Sequence, residues 1–302
     1  MREFGFERNA ALLLAGTQQT VGVPHEQLRQ LARGADVLIN VSGMLSDAAL
    51  IEPIPRRLYL DLDPAFIQLW HTLYGIDMRF DAHTHFATVG LGLGASKCPV
   101  PDCGKQWIPT FQPVVLEEWP VATRLEYDAL TTIANWRGYG SVEFNGEHYG
   151  QKAHSLRDFF DLPQRTTERF QLALAIHPEE TRDIAALAEH GWGLLDPAHV
   201  ADTPAKYRRF IQGSKAEFGI AKSGYVRSRC GWFSDRSACY LASGRPVIAQ
   251  RTGFNERLPT GEGLFEFSTA HDVLTAIDSM NSDYELHSHA ARELCESYFD
   301  SD

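Results

Sequence analysis

The sequence predicts an α/β protein of two domains, each built on a parallel sheet. Three observations carry that reading. The chain has 302 residues, about two domains' worth at the usual domain size. Short apolar runs alternate with helix-like stretches, the pattern of strands joined by crossover helices. Between the two alternating regions, residues 87–120 are rich in Gly and Pro, with little helical periodicity, and read as an inter-domain connection with some loop structure of its own. We therefore expect domains at 1–115 and 116–302.

The first domain opens on a short apolar run at 10–15, followed by a helix at 25–33. Residues 35–43 form a buried strand ending in a polar turn, and 57–64 form a second strand. Pro64 suits the start of a helix over 65–74 because its fixed φ is helical and its missing N–H is not needed there. The second domain begins with a strand at 131–136. Further strands are expected at 173–176 and 193–195, and a helix at 178–190, where Ile184, Leu187 and Ala188 share one face. Lys152 precedes another helix. Residues 234–237 open a helix that runs to Ala242 and stops at Ser243-Gly244. A strand at 246–249, a loop at 252–254, a Gly-rich turn at 259–263 and a last strand at 264–267 complete the pattern.

Composition narrows the function. A net charge of −11 disfavours general nucleic-acid binding, which needs a basic surface. No apolar run approaches the length of a membrane span, and the first residues lack a signal-peptide pattern, so the cytoplasm is expected. Five cysteines, Cys98, Cys103, Cys230, Cys239 and Cys295, read as mostly reduced thiols. No G-x-G-x-x-G follows a strand, and no G-x-x-x-x-G-K-[ST] loop occurs. Dinucleotide redox and P-loop chemistry are both disfavoured.

The helix start at 234–237 is the first candidate for chemistry. Its leading N–H groups lack partners within the helix, and its dipole puts positive charge there. Ser234 or Asp235 can cap it, or an anion can occupy it. Arg229 and Arg236 lie beside it in sequence. In parallel sheets ligands bind beyond the carboxyl ends of the strands, which also draws attention to Asn40, Ser42, Asp61 and Asp63. His83, His85, Cys98 and Cys103 contain the residue types of a zinc site, in an unusual order; loop packing is the reading preferred for them.

The order of Ala242-Ser243-Gly244-Arg245-Pro246-Val247-Ile248, Thr252-Gly253-Phe254 and Gly261-Glu262-Gly263 resembles the donor-sugar half of GT-B glycosyltransferases. The segment 107–115 also looks like the connecting region of bacterial members of that superfamily. The resemblance covers roughly 35–300 and is strongest after Leu130. It implies two Rossmann-like domains facing a cleft, here with a reduced first domain. By comparison with the family, both ends look incomplete. The resemblance further implies transfer of a sugar from a nucleotide-diphosphate sugar to an acceptor, without a metal or other cofactor. Arg137 and Lys152 match the family's basic pair for the diphosphate. Arg229, Trp232, Ser234, Asp235, Arg236, Ser237, Thr252 and Gly253 are the other expected donor contacts. For the acceptor's proton we expect Asp63 as base, with His85, His83 and His71 as rivals. Asp63 has a structural alternative as a helix N-cap. One departure stands out. Retaining members usually carry two glutamates around this helix, whereas Asp235 is the only acidic residue between Glu217 and Glu256. The alternative function is a non-catalytic nucleotide- or glycan-binding protein on a degenerate GT-B fold.

Overall fold

A computed structural model describes residues 5, 6 and 8–302. The chain divides into two compact units. One comprises Met1–Val89 with Pro101–Thr110, and the other Gly90–Val100 with Phe111–Asp302. The division differs from 115/116 because the Gly/Pro-rich stretch is shared: 87–89 and 101–110 belong to the first unit, and 90–100 and 111–120 to the second.

In the first unit, β1 (Ala11–Leu13) and β2 (Thr20–Gly22) make a small antiparallel hairpin. There follow α1 (His25–Gly34), β3 (Val37–Val41), α2 (Ala48–Ile51), β4 (Arg56–Asp61), α3 (Phe66–Tyr74), β5 (His85–Thr88) and β6 (Trp107–Pro109). The four strands β3 to β6 pair in chain order, all parallel. Residues 87–120 are thus more than a connection, since β5 runs into them and β6 lies within them. Tyr59, Phe80 and Phe86 pack edge-to-face with Trp107 under Ile67 of α3. The other face of this sheet stays open. Val37, Ile39 and Val41 of the edge strand β3 are 51, 60 and 41 % exposed, and Ile108 of β6 is 54 % exposed. Parallel sheets usually have both faces covered.

Helix α3 begins at Phe66, one residue later than expected. Its N-cap is Ala65, held at φ 76°, and the Gln68 Oε1 accepts from the Ala65 N–H at 2.8 Å. Asp63 therefore does not cap this helix.

The second unit contains β7 (Tyr127–Asn135), the hairpin β8 (Val142–Phe144) and β9 (Glu147–Tyr149), α4 (Lys152–Leu156), β10 (Phe170–Ala175), α5 (Thr181–Glu189) and β11 (Gly193–Leu195). Then come α6 (Pro197–Val200), α7 (Pro204–Gly213), β12 (Ser214–Gly219), α8 (Ser223–Ser228) and α9 (Asp235–Ala242). The chain continues through β13 (Val247–Gln250), β14 (Leu264–Phe267), α10 (Ala270–Ser282) and α11 (Tyr284–Tyr298). Six strands form one parallel sheet in the order β11-β10-β7-β12-β13-β14. Leu130, Leu172, Phe218, Ile248 and Phe267 pack with Val273 and Ile277 of α10. A second cluster joins Val247, Ala249 and Leu264 to Ala238 and Leu241 of α9 and to Ala291 and Leu294 of α11. Sheet residues thus enter two separate helix-packed clusters, as expected for a parallel sheet buried on both faces.

The stop of α9 follows from Gly244. At φ 67° it suits a residue without Cβ, and the chain closes in a Schellman motif. Gly244 N–H donates to Leu241 O at 2.9 Å, and Arg245 N–H to Tyr240 O at 2.9 Å. Pro246 then leads into β13.

Candidate functional site

Strand order in the second unit reverses direction at β7. From there β10 and β11 build one way, and β12, β13 and β14 the other. In an open parallel sheet the crevice at such a reversal, beyond the carboxyl ends of the strands, is where ligands bind. Here that crevice lies past Asn135 of β7 and Gly219 of β12.

Lys152, the first residue of α4, is there. It is only 9 % exposed, and its Nζ donates to Ile220 O at 2.6 Å, one residue beyond β12. The same Nζ lies 5.4 Å from the Trp232 ring centre. Trp232 stacks on Tyr225, with ring centres 4.5 Å apart and planes at 20°. Lys222, the N-cap of α8, lies beside Tyr225, its Nζ 3.3 Å from the Tyr225 hydroxyl. Its Nζ is 5.0 Å from the Tyr225 ring and 3.9 Å from that of Tyr139, and donates to the Tyr139 hydroxyl. One lysine therefore lies near each ring of a stacked aromatic pair. The start of α8 is locked to the start of α4 by backbone. Gly224 N–H donates to Gly150 O at 3.0 Å, and Gly150 N–H to Ser223 Oγ at 3.0 Å.

Helix α9 brings Ser234, Asp235, Arg236 and Ser237 to the same region. Ser234 occupies the N-cap position with extended backbone, but its side chain does not cap the helix; its hydroxyl is 3.5 Å from Asp235 Oδ1. Ser234 and Ser237 are buried, while Asp235 is exposed. Arg236 turns inward. Its Nε donates to Glu217 Oε1 of β12 at 2.6 Å and its Nη1 to Ile133 O of β7 at 2.8 Å. Burial opposes the Arg236 charge, but Glu217, with Tyr207 and Tyr240, outweighs it and holds the guanidinium above its ordinary pKa. Glu217 is fully buried, and its Oε2 has no hydrogen-bond partner.

The lysine is in the opposite condition. Burial, then the charges of Arg236 and Lys222, hold Lys152 well below the ordinary lysine range. Glu217 and Asp235 act the other way and are outweighed.

The remaining expected donor residues are placed as follows. Thr252 is buried, and its hydroxyl donates to Trp232 O. Gly253 sits at φ 99°, where an added Cβ would lie 2.9 Å from Arg229 O. Both brace the loop that carries Trp232. Arg229 is the left-handed C-cap of α8 at φ 49° and is exposed. Arg137 pairs with Glu180 through its Nε. The structure thus gathers Lys152, Trp232, Ser234 and Arg236 at the crevice, but engages Arg236 inside the protein and Arg137 with a carboxylate. Lys222, Tyr139 and Tyr225 were not anticipated. A lone Lys between loop residues carries no pattern that a sequence reading registers.

In the first unit, the carboxyl edge of the sheet holds Asp61 and Asp63. Asp61 is fully buried and accepts from Gln68 Nε2 at 2.9 Å, Thr88 Oγ1 at 3.0 Å and the Asp63 N–H at 2.9 Å. Burial pushes its pKa up to about 6, against the pull of those hydrogen bonds. A carboxyl whose folded pKa exceeds its unfolded value binds more protons when folded, so its contribution to stability declines as pH rises from about 4 to about 6. An Asp61→Asn variant is expected to lose that component of the pH dependence of Tm; a slope unchanged over this window would contradict the assignment.

His85 does not join these residues. It pairs in register with Leu58 at the amino end of β5, whereas Asp61 pairs with Thr88 at the carboxyl end. His85 is also exposed. Parallel alignment therefore puts it at the edge away from Asp61 and Asp63. His83 is held by two neighbours, with Nδ1 2.8 Å from Arg79 O and Nε2 3.0 Å from Asn40 Nδ2. Burial lowers its pKa, so Nδ1 donates and Nε2 accepts in the neutral ring. His71 Nδ1 lies 3.1 Å from Ile76 O. Cys103 lies near Gln68 O at 3.6 Å, and Cys98 is buried in the other unit. Among the described residues no group of three or more His, Cys, Asp or Glu is placed to hold a metal ion. Nor is any helix among them long and apolar enough to cross a membrane.

No protein-family model matches the chain, and no curated protein matches it in sequence. Solved structures do resemble it. The crystal structure of Anabaena HepE in complex with UDP and glucose superposes with a TM-score of 0.58 at 13% identity, covering 91% of this chain and 77% of that one. HepE in complex with UDP-glucose gives 0.56 at 11% identity, covering 92% and 79%. The GtfA/B complex gives 0.45 at 12% identity, and this chain spans 61% of that chain. The likeness to HepE is one of fold, and the fold is that of the GT-B glycosyltransferases.

Proposed function

We propose that the second unit binds a nucleotide-diphosphate sugar at the β7/β12 crevice and that the protein transfers the sugar to an acceptor. The observation that carries this reading is Lys152, a nearly buried lysine at the switch point with a single protein hydrogen bond. Beside it are the uncapped start of α9 and the stacked Tyr225–Trp232 pair. A helix N-terminus and an ammonium suit a diphosphate. They also stabilise the charge that develops on it as the glycosidic bond breaks, the task a divalent metal performs elsewhere. An aromatic stack offers a flat surface to a sugar or a base. HepE, the solved structure described above, was crystallised with UDP and with UDP-glucose.

On the acceptor side, Asp63 is the base we propose. It is half-buried at the carboxyl edge of the first unit's sheet, beside Asp61. The alternative, binding without transfer, draws on the same crevice and on the sequence between Glu217 and Glu256, where Asp235 is the only acidic residue. Release of free nucleotide from a panel of nucleotide sugars, with and without candidate acceptors, separates the two.

A ligand that binds only the folded state at 100 times its Kd stabilises it by about 2.7 kcal/mol, or roughly 5–10 °C in Tm for a domain of this size. Saturating UDP, ADP or GDP should give a shift of this order with at least one base. If none of them, nor any nucleotide sugar, moves the melt at millimolar concentration, the donor site is not where we place it.

A further inference from the structure

We infer that Lys152 takes up a proton when a diphosphate enters the β7/β12 crevice, so that donor binding is coupled to pH. The inference rests on the reading above that this crevice seats a nucleotide diphosphate.

The geometry leads to it step by step. A charged lysine has three N–H donors and no acceptor. Lys152 donates one, to Ile220 O at 2.6 Å. Its Nζ faces the Trp232 ring at 5.4 Å, which offers a weak cation site but no lone pair. The side chain is nine-tenths buried, so water is largely excluded from the other two donors. Four charged groups bear on it. Arg236 of α9 has the same sign as Lys152 and is offset only in part by Glu217 of β12, with which it pairs at 2.6 Å. Lys222, from the N-cap of α8, has the same sign as Lys152. Asp235 of α9 has the opposite sign but is exposed, so solvent and salt screen it. A charged ammonium in this setting lacks both hydration and a counter-ion, and the neutral amine is favoured. The depressed basicity noted above agrees with this.

A diphosphate reverses the balance. It brings negative charge to within reach of Nζ and supplies oxygen acceptors for the two unengaged donors. The step is R–NH2 + H⁺ → R–NH3⁺, with the proton drawn from solvent and no other bond made or broken. The sign follows from linkage. Affinity for a diphosphate is greatest where Lys152 is already protonated. As pH rises above its free-state pKa, affinity falls by up to tenfold per unit until the pKa of the complex is reached.

The test is calorimetric titration of the full chain with UDP, ADP and GDP between pH 7.5 and 9.5. The last phosphate proton, with a pKa of about 6, does not interfere in that range. Each titration is run in two buffers of different ionisation enthalpy. The expected result is an observed enthalpy that depends on the buffer, with a slope corresponding to uptake of up to one proton, and an affinity that falls over the range. The nucleosides should show neither. Lys152→Arg, whose guanidinium stays charged, should bind without proton uptake. Diphosphate binding with a buffer-independent enthalpy and a flat pH profile in the native chain overturns the coupling alone. The same uptake in Lys152→Arg overturns its assignment to Lys152. Failure of every diphosphate to bind at any pH overturns the coupling and the donor-site reading together.

Discussion

Replacing Arg236 with alanine is expected to destabilise the second unit by about 3–5 kcal/mol, the usual result of removing one partner from a buried ion pair. Glu217 is fully buried and depends on Arg236 for its one hydrogen-bonded oxygen, since Oε2 already has no partner. Without the guanidinium, a whole carboxylate would be unpaired between sheet and helix, and Ile133 O would lose its donor as well. Lysine is a poor substitute, because it has neither the planar fork nor the reach to serve both acceptors. The double variant Arg236→Ala/Glu217→Gln should recover part of the loss by removing the stranded charge. Denaturant unfolding measures all three. A loss below about 1 kcal/mol, in the range of an exposed ion pair, would mean that Arg236 faces a solvated cleft and is available to a phosphate.

Lys152→Ala should show the reverse pattern, a small effect on stability and a large one on binding. Its side-chain nitrogen has one hydrogen bond to the protein, and burial works against its charge, so little folding free energy depends on it. Toward a diphosphate it offers charge-assisted hydrogen bonds, each contributing about 1.5–3 kcal/mol. Loss of one such bond weakens binding roughly 10- to 150-fold. The matching nucleoside, lacking phosphates, should bind the variant as it binds the native chain. Calorimetry with both ligands checks this. Equal losses for nucleoside and nucleoside diphosphate would falsify the phosphate role.

These two residues also show what the sequence could and could not convey. Both read as candidate phosphate ligands because each is a cation near a helix start. Only the three-dimensional phase of α9 reveals that Arg236 turns toward β12 while its neighbour Asp235 turns to solvent. Where Gly and Pro punctuation coincides with apolar runs, as from α9 through Gly244 to β13 and β14, the elements were legible nearly to the residue. Strand β12 was not. It alternates Lys215 and Glu217 with Ala216 and Phe218, which in sequence looks like a polar surface segment. In the fold both charges are paired, Lys215 with Glu168 at 2.6 Å and Glu217 with Arg236. Strands β5 and β6 were obscured by the Gly and Pro residues around them. Asp61 and Asp63 are two residues apart on one chain, but Asp61 is the last residue of β4 and lies in the core, whereas Asp63 lies beyond the strand's end and is half-exposed. Composition could not distinguish them.

The open face of the first unit's sheet has a consequence for the behaviour of the protein in concentrated solution. Strand β3 presents Val37, Ile39 and Val41 at an outer edge, with no Lys, Pro or bulge within Val37–Val41 to discourage pairing. Natural proteins blunt such edges with those devices, because unpaired strand groups beside exposed β-branched side chains template intermolecular sheet growth. We therefore expect any self-association of this chain at high concentration to start at Val37–Val41, remote in sequence from the proposed nucleotide crevice. Colloidal behaviour and ligand binding are accordingly separable properties. A charge placed at Ile39 is expected to suppress self-association, read by light scattering at high concentration, with nucleotide binding unchanged.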